Sequence, residues 1–332
     1  MVPIVKLDQS NIFLPEYRGR LTEGITYNPK NNTLLWVDII AGEVHRVVLN
    51  DEPFKTHEFL KWESPEESIG AITLTSDNDI ILICGKYGVA KGNFKTRDPI
   101  EYFLKYPLQS KDEALRLRSN DGIIDPWGNL WIGLMNDFNI TTKEGVKPEG
   151  YLYKINYEDL SIETMIDKTL ISNGLAFSED GKTFYWTDSL TFTIWKFDYD
   201  YKTNTLSNKS SHVAIKSDIF PEFESPEPDG LTMTKNEEIY SAVFSTNSVI
   251  HVNKQGELLD KIEIPAQKLT CVISGGKDND ELFITTGHKD LLDKDAIIDA
   301  KDVSGDLGGF LFKVKLDKSI NGQTKNIWGG KV

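Results

Sequence analysis

The sequence has 332 residues, with 37 Lys and Arg against 51 Asp and Glu, and a formal net charge of −14 at pH 7. This acidic balance argues against nucleic acid and anionic membrane surfaces as partners, because both repel a negatively charged protein. Hydrophobic residues make up 39% of the chain and aromatic residues 11%, which is enough for a large core and argues against global disorder.

A short sequence motif recurs six times along the chain. In each copy a polar residue, a glycine and apolar residues are followed, about ten positions later, by a β-rich run. The glycines lie 46, 52, 52 and 56 residues apart, and a sixth copy, with cysteine in place of glycine, follows after 41 residues. This spacing suits a four-stranded sheet with its loops, so each copy predicts one propeller blade. The motif positions are Gly24, Gly70, Gly122, Gly174, Gly230 and Cys271.

Pairs of predicted strands follow in chain order. The first strand of each pair is apolar on both faces, as expected when neighbouring blades cover it, and turn-forming residues such as Asn31-Asn32 and Asp180-Gly181 precede it. The only helix that we predict is a short segment over residues 289–302. The chain is therefore predicted to be one all-β domain, a six-bladed β-propeller over residues 1–332. The predicted pairs are 33–40 with 43–49, 79–84 with 89–92, 130–134 with 150–155, 183–188 with 193–199, 238–244 with 249–253, and 281–286 with 309–314.

The N-terminus and the cysteines indicate where the protein is found. The first residues, MVPIVKLDQSNIF, contain no basic segment followed by a long apolar stretch, so we expect no signal peptide. Cys84 and Cys271 stand in apolar runs and are too few for a disulfide framework. We expect a soluble, monomeric, cytoplasmic protein, with the nucleus as an alternative, and neither nucleic acid nor a membrane as partner.

The motif also predicts a site. Equivalent positions in different blades converge on the propeller axis, so the residues just before the glycines are candidate members of one site. In four of the six copies that residue carries a side-chain oxygen that can bind a metal or a substrate: Glu23, Asp121, Asn173 and Asp229.

Taken together, these segments resemble the regucalcin/gluconolactonase family of six-bladed lactonases, which includes the senescence marker protein-like enzymes. The resemblance extends from Glu23 to about Gly309 and is specific because all the segments occur in order at blade spacing. The strongest of them read TEGITYNPKNNTLLWVDIIAGEVHRV, RSNDGIIDPWGNLWIGLM, SNGLAFSEDGKTFYWTDSLTFTIWKFDYD, PDGLTM and TCVISGG.

The resemblance implies one divalent cation held by Glu23, Asn173 and Asp229, three residues that the repeat also selects. Two carboxylates neutralise a dication, and the amide adds a ligand without adding charge. An all-oxygen set suits Ca²⁺ best, with Mg²⁺, Zn²⁺ or Mn²⁺ as alternatives. For any one of these residues alone, the capping of a turn would be the simpler interpretation.

A second implied feature is a substrate-binding segment in the third blade, formed by Arg118 and Asn120. The Arg118 guanidinium offers a rigid set of donors to hydroxyl or carbonyl oxygens. Asn120 can both donate and accept, which suits a sugar-like polyol, and Asp121 could bind a water or a substrate hydroxyl. The alternative for Arg118 is a surface charge beside Arg116 and Lys111.

The chain departs from the family in the third blade. Family members resembling regucalcin carry acidic residues after this strand, and one of them contacts substrate. Here the register places Phe138 at that contact, with Asp137 as a substitute, which leaves the ligand preference open. After Glu23, the pair Gly24-Ile25 replaces Ser-Pro or Gly-Pro, a change that we expect to affect the rim of the site more than the metal.

Other chemistries are poorly supported. The five histidines show neither metal-ligand spacing nor the pattern of a catalytic triad, and we interpret Cys84 as a core residue rather than a nucleophile. The resemblance implies metal-dependent hydrolysis of a small sugar-type lactone, with Asp229 as general base. The alternatives are an esterase or phosphotriesterase on the same scaffold and a non-catalytic calcium-binding propeller.

Overall fold

The structure, a computed structural model, describes residues 2–64, 67–108, 110–317 and 319–331. In these residues six antiparallel sheets form the blades of a β-propeller, as the repeat predicted. The first strand of each blade contacts the first strand of the next blade, and the sixth contacts the first, so these innermost strands surround one axis.

Blades 1 to 3 are four-stranded sheets in which consecutive strands pair. The preceding strand β1 (Ile4–Lys6) lies elsewhere, on the outer edge of blade 5. Blade 1 contains β2 (Thr22–Asn28), β3 (Thr33–Asp38), β4 (Glu43–Val48) and β5 (Glu58–Lys61). Blade 2 contains β6 (Ile69–Leu74), β7 (Ile80–Gly85), β8 (Gly88–Asn93) and β9 (Glu101–Lys105). Blade 3 contains β10 (Leu117–Ile124), β11 (Leu130–Asn136), β12 (Gly150–Ile155) and β13 (Ile162–Thr169).

Blades 4 to 6 also pair consecutive strands, but blade 6 has three strands instead of four in the described residues. Blade 4 contains β14 (Ser172–Phe177), β15 (Thr183–Asp188), β16 (Thr193–Asp200) and β17 (Thr205–Ala214). Blade 5 contains β18 (Glu227–Met233), β19 (Ile239–Phe244), β20 (Ser248–Val252) and β21 (Leu258–Glu263). Blade 6 contains β22 (Lys268–Gly275), β23 (Glu281–Gly287) and β24 (Phe312–Lys315).

The N-terminal segment lies against the outer edges of blades 5 and 6. Strand β1 pairs in parallel with β21, with Ile4 opposite Lys261. Further along, Ile12 forms an antiparallel bridge with Phe312 of blade 6, and the Phe13 N–H donates to the Leu311 carbonyl at 2.8 Å. The residues before blade 1 therefore join the outer edges of the last two blades.

Helices in the described residues are short and lie between strands: α1 (Lys111–Arg116), α2 (Phe138–Glu144) and α3 (Ile215–Asp218). Each is too short to give the sequence a recognisable helical period. The predicted helix over residues 289–302 is wrong, since this segment forms turns. Its carbonyl groups accept hydrogen bonds from two arginine side chains instead of from helical N–H groups. Arg18 Nη1 donates to the Asp302 carbonyl at 2.7 Å, and Arg20 Nη2 donates to the Ala296 carbonyl at 3.1 Å.

A bulge at the motif position interrupts every innermost strand. In all six blades the pairing between the first and second strands shifts register at the motif glycine or cysteine or directly before it. Gly24 and Gly174 have φ angles of 57° and 22°, which a side chain would disfavour. A bulge re-aims the neighbouring side chain, so it can direct the residue before the glycine away from the regular alternation of the strand.

Close contact between neighbouring innermost strands also requires glycine. A Cβ atom on Gly70 would lie 2.5 Å from the Ser119 carbonyl carbon, and one on Gly230 would lie 2.4 Å from the Cys271 Sγ. The ring around the axis is therefore packed backbone against backbone. The two cysteines are buried free thiols, as expected. No helix in the described residues is long and apolar enough to cross a bilayer.

Candidate active site

Three of the four polar residues before the motif glycines stand near the start of their innermost strands, and the fourth, Asp121, lies midway along its strand. Glu23 lies in β2, Asn173 in β14 and Asp229 in β18, with exposed fractions of 6%, 3% and 7%. Asp121, in β10, is partly exposed. Burial of a polar side chain costs free energy unless the side chain is hydrogen-bonded or paired with an opposite charge, so we expect each of these residues to have a partner.

Each of these side chains accepts a hydrogen bond from the N–H of the following glycine. Because the side-chain oxygen accepts from the N–H of the next residue, the backbone conformation of the bulge also fixes the direction of the side chain. The donor–acceptor distances are 2.7 Å for Glu23 Oε2 and Gly24 N, 2.7 Å for Asp121 Oδ1 and Gly122 N, 3.2 Å for Asn173 Oδ1 and Gly174 N, and 3.0 Å for Asp229 Oδ1 and Gly230 N.

Glu23 and Asp229 form a carboxyl pair across the axis. Their side chains lie close enough for each carboxyl group to act on the pKa of the other. Burial, followed by the negative charge of Asp121, raises the pKa of Glu23 to about 8. Burial and the charges of Glu23 and Asp121 raise the pKa of Asp229 well above its usual range. The pair is therefore a concentration of negative charge that the surrounding residues do not fully compensate.

Asn173 completes this end of the site from β14. Its Nδ2 donates to Ser189 Oγ at 3.2 Å, while its Oδ1 faces the Gly174 N–H. Strand β14 packs directly on β18, because a Cβ atom on Gly174 would lie 2.4 Å from the Asp229 carbonyl oxygen. Asn173 and Asp229 therefore belong to adjoining strands of the ring.

Arg118 lies in β10 and is 4% exposed, so it is a buried cation rather than a surface charge. Its Nη1 donates to the Ser119 carbonyl at 2.8 Å and to Asn120 Oδ1 at 2.9 Å. Its Nε is buried and has no hydrogen-bond partner among the described residues. Burial lowers the pKa of Arg118 to about 10, against the opposing effects of Asp137, Glu23 and Asp229. The guanidinium is thus close enough to the carboxyl pair to interact with its charge, and its Nε–H group is available as a donor.

Asn120 orients Arg118. Its Oδ1 accepts from the guanidinium, and its Nδ2 donates to the Ser172 carbonyl of the next blade at 3.1 Å. Both ends of the Asn120 amide are therefore hydrogen-bonded to other residues of the protein. Asp121 is less constrained than Asn120. One of its oxygens accepts from the Gly122 N–H, and the residue is partly exposed.

Phe138, which the register places at the substrate contact of the family, packs against Arg118. The guanidinium carbon lies 4.4 Å from the centre of the Phe138 ring, within the range of a cation–π interaction. Asp137, considered as a substitute acid, caps α2 by accepting from the Phe138 N–H at 2.7 Å, and its other oxygen forms an ion pair with Lys86. Asp137 is therefore engaged, and Phe138 covers one face of the cation.

Sequence reasoning missed Lys86, which is 5% exposed and lies directly after β7. It also missed Ser189, the partner of Asn173, and Lys325, whose charge acts on Asp121. None of these residues belongs to the repeated motif. Only the position of Lys86 at the end of a second strand, facing the start of an innermost strand, could have suggested it.

The oxygen set fits a hard cation chemically. No group of three or more His, Cys, Asp or Glu side chains in the described ranges is placed to hold a metal ion, and the expected set contains only two such residues, since its third member is an amide. The adjacent buried carboxyl groups of Glu23 and Asp229 are short of positive charge, which a dication would supply. Buried oxygen donors of this kind suit Ca²⁺ or Mg²⁺.

Comparison with known proteins identifies the family and the fold. Residues 21–288 match the family described as the SMP-30/gluconolactonase/LRE-like region. The cell growth-regulated gene 1 protein of Candida albicans is 58% identical over an alignment 338 residues long, which covers 98% of this chain and 99% of that protein. The pentonolactonase XacC of Haloferax volcanii is 27% identical, covering 92% of this chain and 93% of its own. Among solved structures, a calcium-binding protein, regucalcin, from Agrobacterium tumefaciens has a TM-score of 0.79 at 20% identity, with 99% of both chains covered, a likeness that shows the fold.

Proposed function

The chain belongs to the SMP-30/gluconolactonase/LRE-like family, and we propose that it is a hydrolase that opens a small sugar-type lactone to the hydroxy acid. The observation that carries this proposal is the buried Glu23–Asp229 carboxyl pair beside the buried Arg118 guanidinium. The name of the related pentonolactonase supports the substrate class, because that protein aligns with nearly the whole chain.

Glu23, Asn173 and Asp229 would hold one divalent cation, with Ca²⁺ favoured and Mg²⁺, Zn²⁺ or Mn²⁺ as alternatives. When bound, the cation would polarise the lactone carbonyl and stabilise negative charge on its oxygen. The carboxylates of Glu23 and Asp229 supply the charge that such an ion requires, and Asn173 Oδ1 supplies a neutral oxygen.

Asp229 is the proposed general base. Burial and the neighbouring carboxylates raise its pKa, which makes its ionised form a stronger acceptor for a proton from the attacking water. One of its oxygens is held by the Gly230 N–H, so the other is the one available for that water. The same residue thus contributes charge and basicity.

Arg118 is the proposed substrate clamp. Its unpartnered Nε can donate to a ring hydroxyl or to the carbonyl oxygen of a substrate, while Phe138 covers one face of the guanidinium. Asn120 holds the guanidinium in place from β10, and its bond to the Ser172 carbonyl ties this arrangement to blade 4. Because the site is buried, the hydrogen bonds formed there are stronger than they would be in water.

A substrate panel tests the proposal. The purified protein is supplied with Ca²⁺ and assayed against aldonolactones, aryl esters and phosphotriesters, with Asp229→Asn measured in parallel. We expect hydrolysis of one or more aldonolactones, which the variant loses. Hydrolysis of aryl esters or phosphotriesters alone would assign the related esterase or phosphotriesterase activity, and calcium binding without any hydrolysis would assign a binding protein.

A further inference from the structure

We propose that Lys325 is a positioning residue of the axial site, which lines the cavity beside the motif residues from the side of the C-terminal segment and supplies a positive charge to Asp121. The proposal rests on the metal site of the proposed function for one of its two consequences only. It concerns the C-terminal segment, residues 319–331, which lies outside the six sequence repeats.

The C-terminal segment crosses the far end of the propeller, where the innermost strands finish. The Gln323 N–H donates to the carbonyl of Met233, the last residue of β18, at 2.8 Å, and Ile327 forms a parallel bridge with Leu74, the last residue of β6. Asn326 Nδ2 donates to the carbonyl at the end of β10 at 3.0 Å. The segment is thus anchored to three different blades around the axis.

Lys325 lies between these anchors and reaches the channel. A cavity of about 20 Å³ runs from the bulges of the innermost strands to the C-terminal segment, and both Asp121 and Lys325 line it. A space of this size has room for about one water molecule. Asp121 and Lys325 therefore line the same small space, one beside the bulges and the other on the C-terminal segment.

The charge of Lys325 reaches the site across this cavity. Burial raises the pKa of Asp121, and the positive charge of Lys325 lowers it again. The same charge lowers the pKa of the neighbouring Cys271 thiol, which burial raises. At the other end of the site the charge of Arg118 acts on Glu23 in the same sense. Lys325 therefore lowers the pKa of Asp121, and Arg118 lowers the pKa of Glu23.

This arrangement sets the sign of the effect on a bound dication. Lys325 repels a dication at the axis, so its removal makes the channel more negative and tightens cation binding. A residue that served only to pack the C-terminal segment would have the opposite effect, since its loss would loosen the site. The two roles are therefore separated by the direction of the change in Kd.

The first measurement is calorimetric titration of chelator-treated protein with Ca²⁺. Lys325→Met is expected to lower the Kd on the order of tenfold at low salt, and less as salt is added. Lys331→Met is the matched control, because it removes the same charge from an exposed position in the same segment, and its Kd should equal that of the parent. An unchanged or weaker Kd in Lys325→Met overturns the proposal.

The second measurement needs no metal and separates this proposal from the proposed function. In the chelator-treated protein, Lys325→Met is expected to lower the Tm, because Asp121 loses its compensating charge, and to lower it much less in the Asp121→Asn background. An equal loss of Tm in both backgrounds overturns the proposal, since Lys325 would then act through packing. If the parent binds no cation, the metal site of the proposed function fails, and this cycle alone decides the role of Lys325.

Discussion

The carboxyl groups of Glu23 and Asp229 lie close enough to act on each other's pKa although they come from the first and fifth blades. Two acids are brought this close because the bulge at each following glycine fixes the side chain that precedes it. Burial and then the charge of Asp121 raise the pKa of Glu23, and burial with the charges of Glu23 and Asp121 raises the pKa of Asp229.

Replacement of Asp229 tests its role as general base. Asp229→Asn keeps an oxygen at the same place but removes the basic one, so we expect kcat to fall by about 10²–10⁴-fold at saturating cation. The matched control is Glu179→Gln, an exposed acid in a hairpin turn, which should leave kcat unchanged. Activity of Asp229→Asn within about tenfold of the parent would place the base elsewhere, with Asp121 the next candidate.

Phe138 should affect substrate binding more than turnover. Phe138→Leu removes the ring that covers the Arg118 guanidinium, so the cation loses one of the contacts that hold it. We expect KM to rise several-fold with kcat nearly unchanged, because the contact is made before the reaction and does not change during it. Phe59→Leu, an exposed aromatic on β5, is the control. A fall in kcat at constant KM would contradict this role.

Close packing of the innermost strands predicts a large cost for a small substitution. A Cβ atom on Gly70 would meet the backbone of Ser119 and Asn120 at 2.5 Å, so Gly70→Ala requires β6 and β10 to move apart. We expect a loss of about 3 kcal/mol in the free energy of unfolding by denaturant titration. Ser210→Ala, on the exposed edge strand β17, should change it by less than about 0.5 kcal/mol. Equal effects of the two substitutions would show that the ring tolerates expansion.

Acid should destabilise the protein through His57. Burial, and then the charge of the adjacent His45, lower the pKa of His57 to about 4, below the value of about 6.5 for an unfolded chain. The unfolded state therefore binds the proton first, so stability is greatest above pH 6.5 and falls as pH decreases towards 4. Because the ring is partly solvent-exposed, we expect a contribution of about 1–2 kcal/mol rather than the full shift. Denaturant titrations across this range should show a smaller decrease for His57→Gln, and an unchanged decrease would contradict the assignment.

The repeat made the fold predictable from sequence. Six copies of one motif at blade spacing gave the blade count, the innermost strands and the positions of the axial residues. Glu23, Asp121, Asn173 and Asp229 could be selected because each precedes the position at which the strand bulges. A local pattern that repeats is visible in sequence when its cause, here a glycine bulge, also repeats.

Features that occur once were not predictable in this way. Lys325 and Lys86 reach the site from segments that lack the motif, and only the folded structure brings them near Asp121 and Asp137. The segment over residues 289–302 has no helix because Arg18 and Arg20, far away in sequence, bind its carbonyl groups. Tertiary contacts of this kind override local propensity.

We expect lactone hydrolysis by this protein to depend on a divalent cation held by Glu23, Asn173 and Asp229. The direct measurement is lactonase activity of protein freed of metal by a chelator, verified by elemental analysis, and then supplied separately with Ca²⁺, Mg²⁺, Mn²⁺ or Zn²⁺. The predicted result is loss of aldonolactone hydrolysis on chelation and its recovery with at least one cation, saturable at one ion per chain. Full activity in the verified metal-free protein, or no hydrolysis with any of the four cations, would contradict the claim.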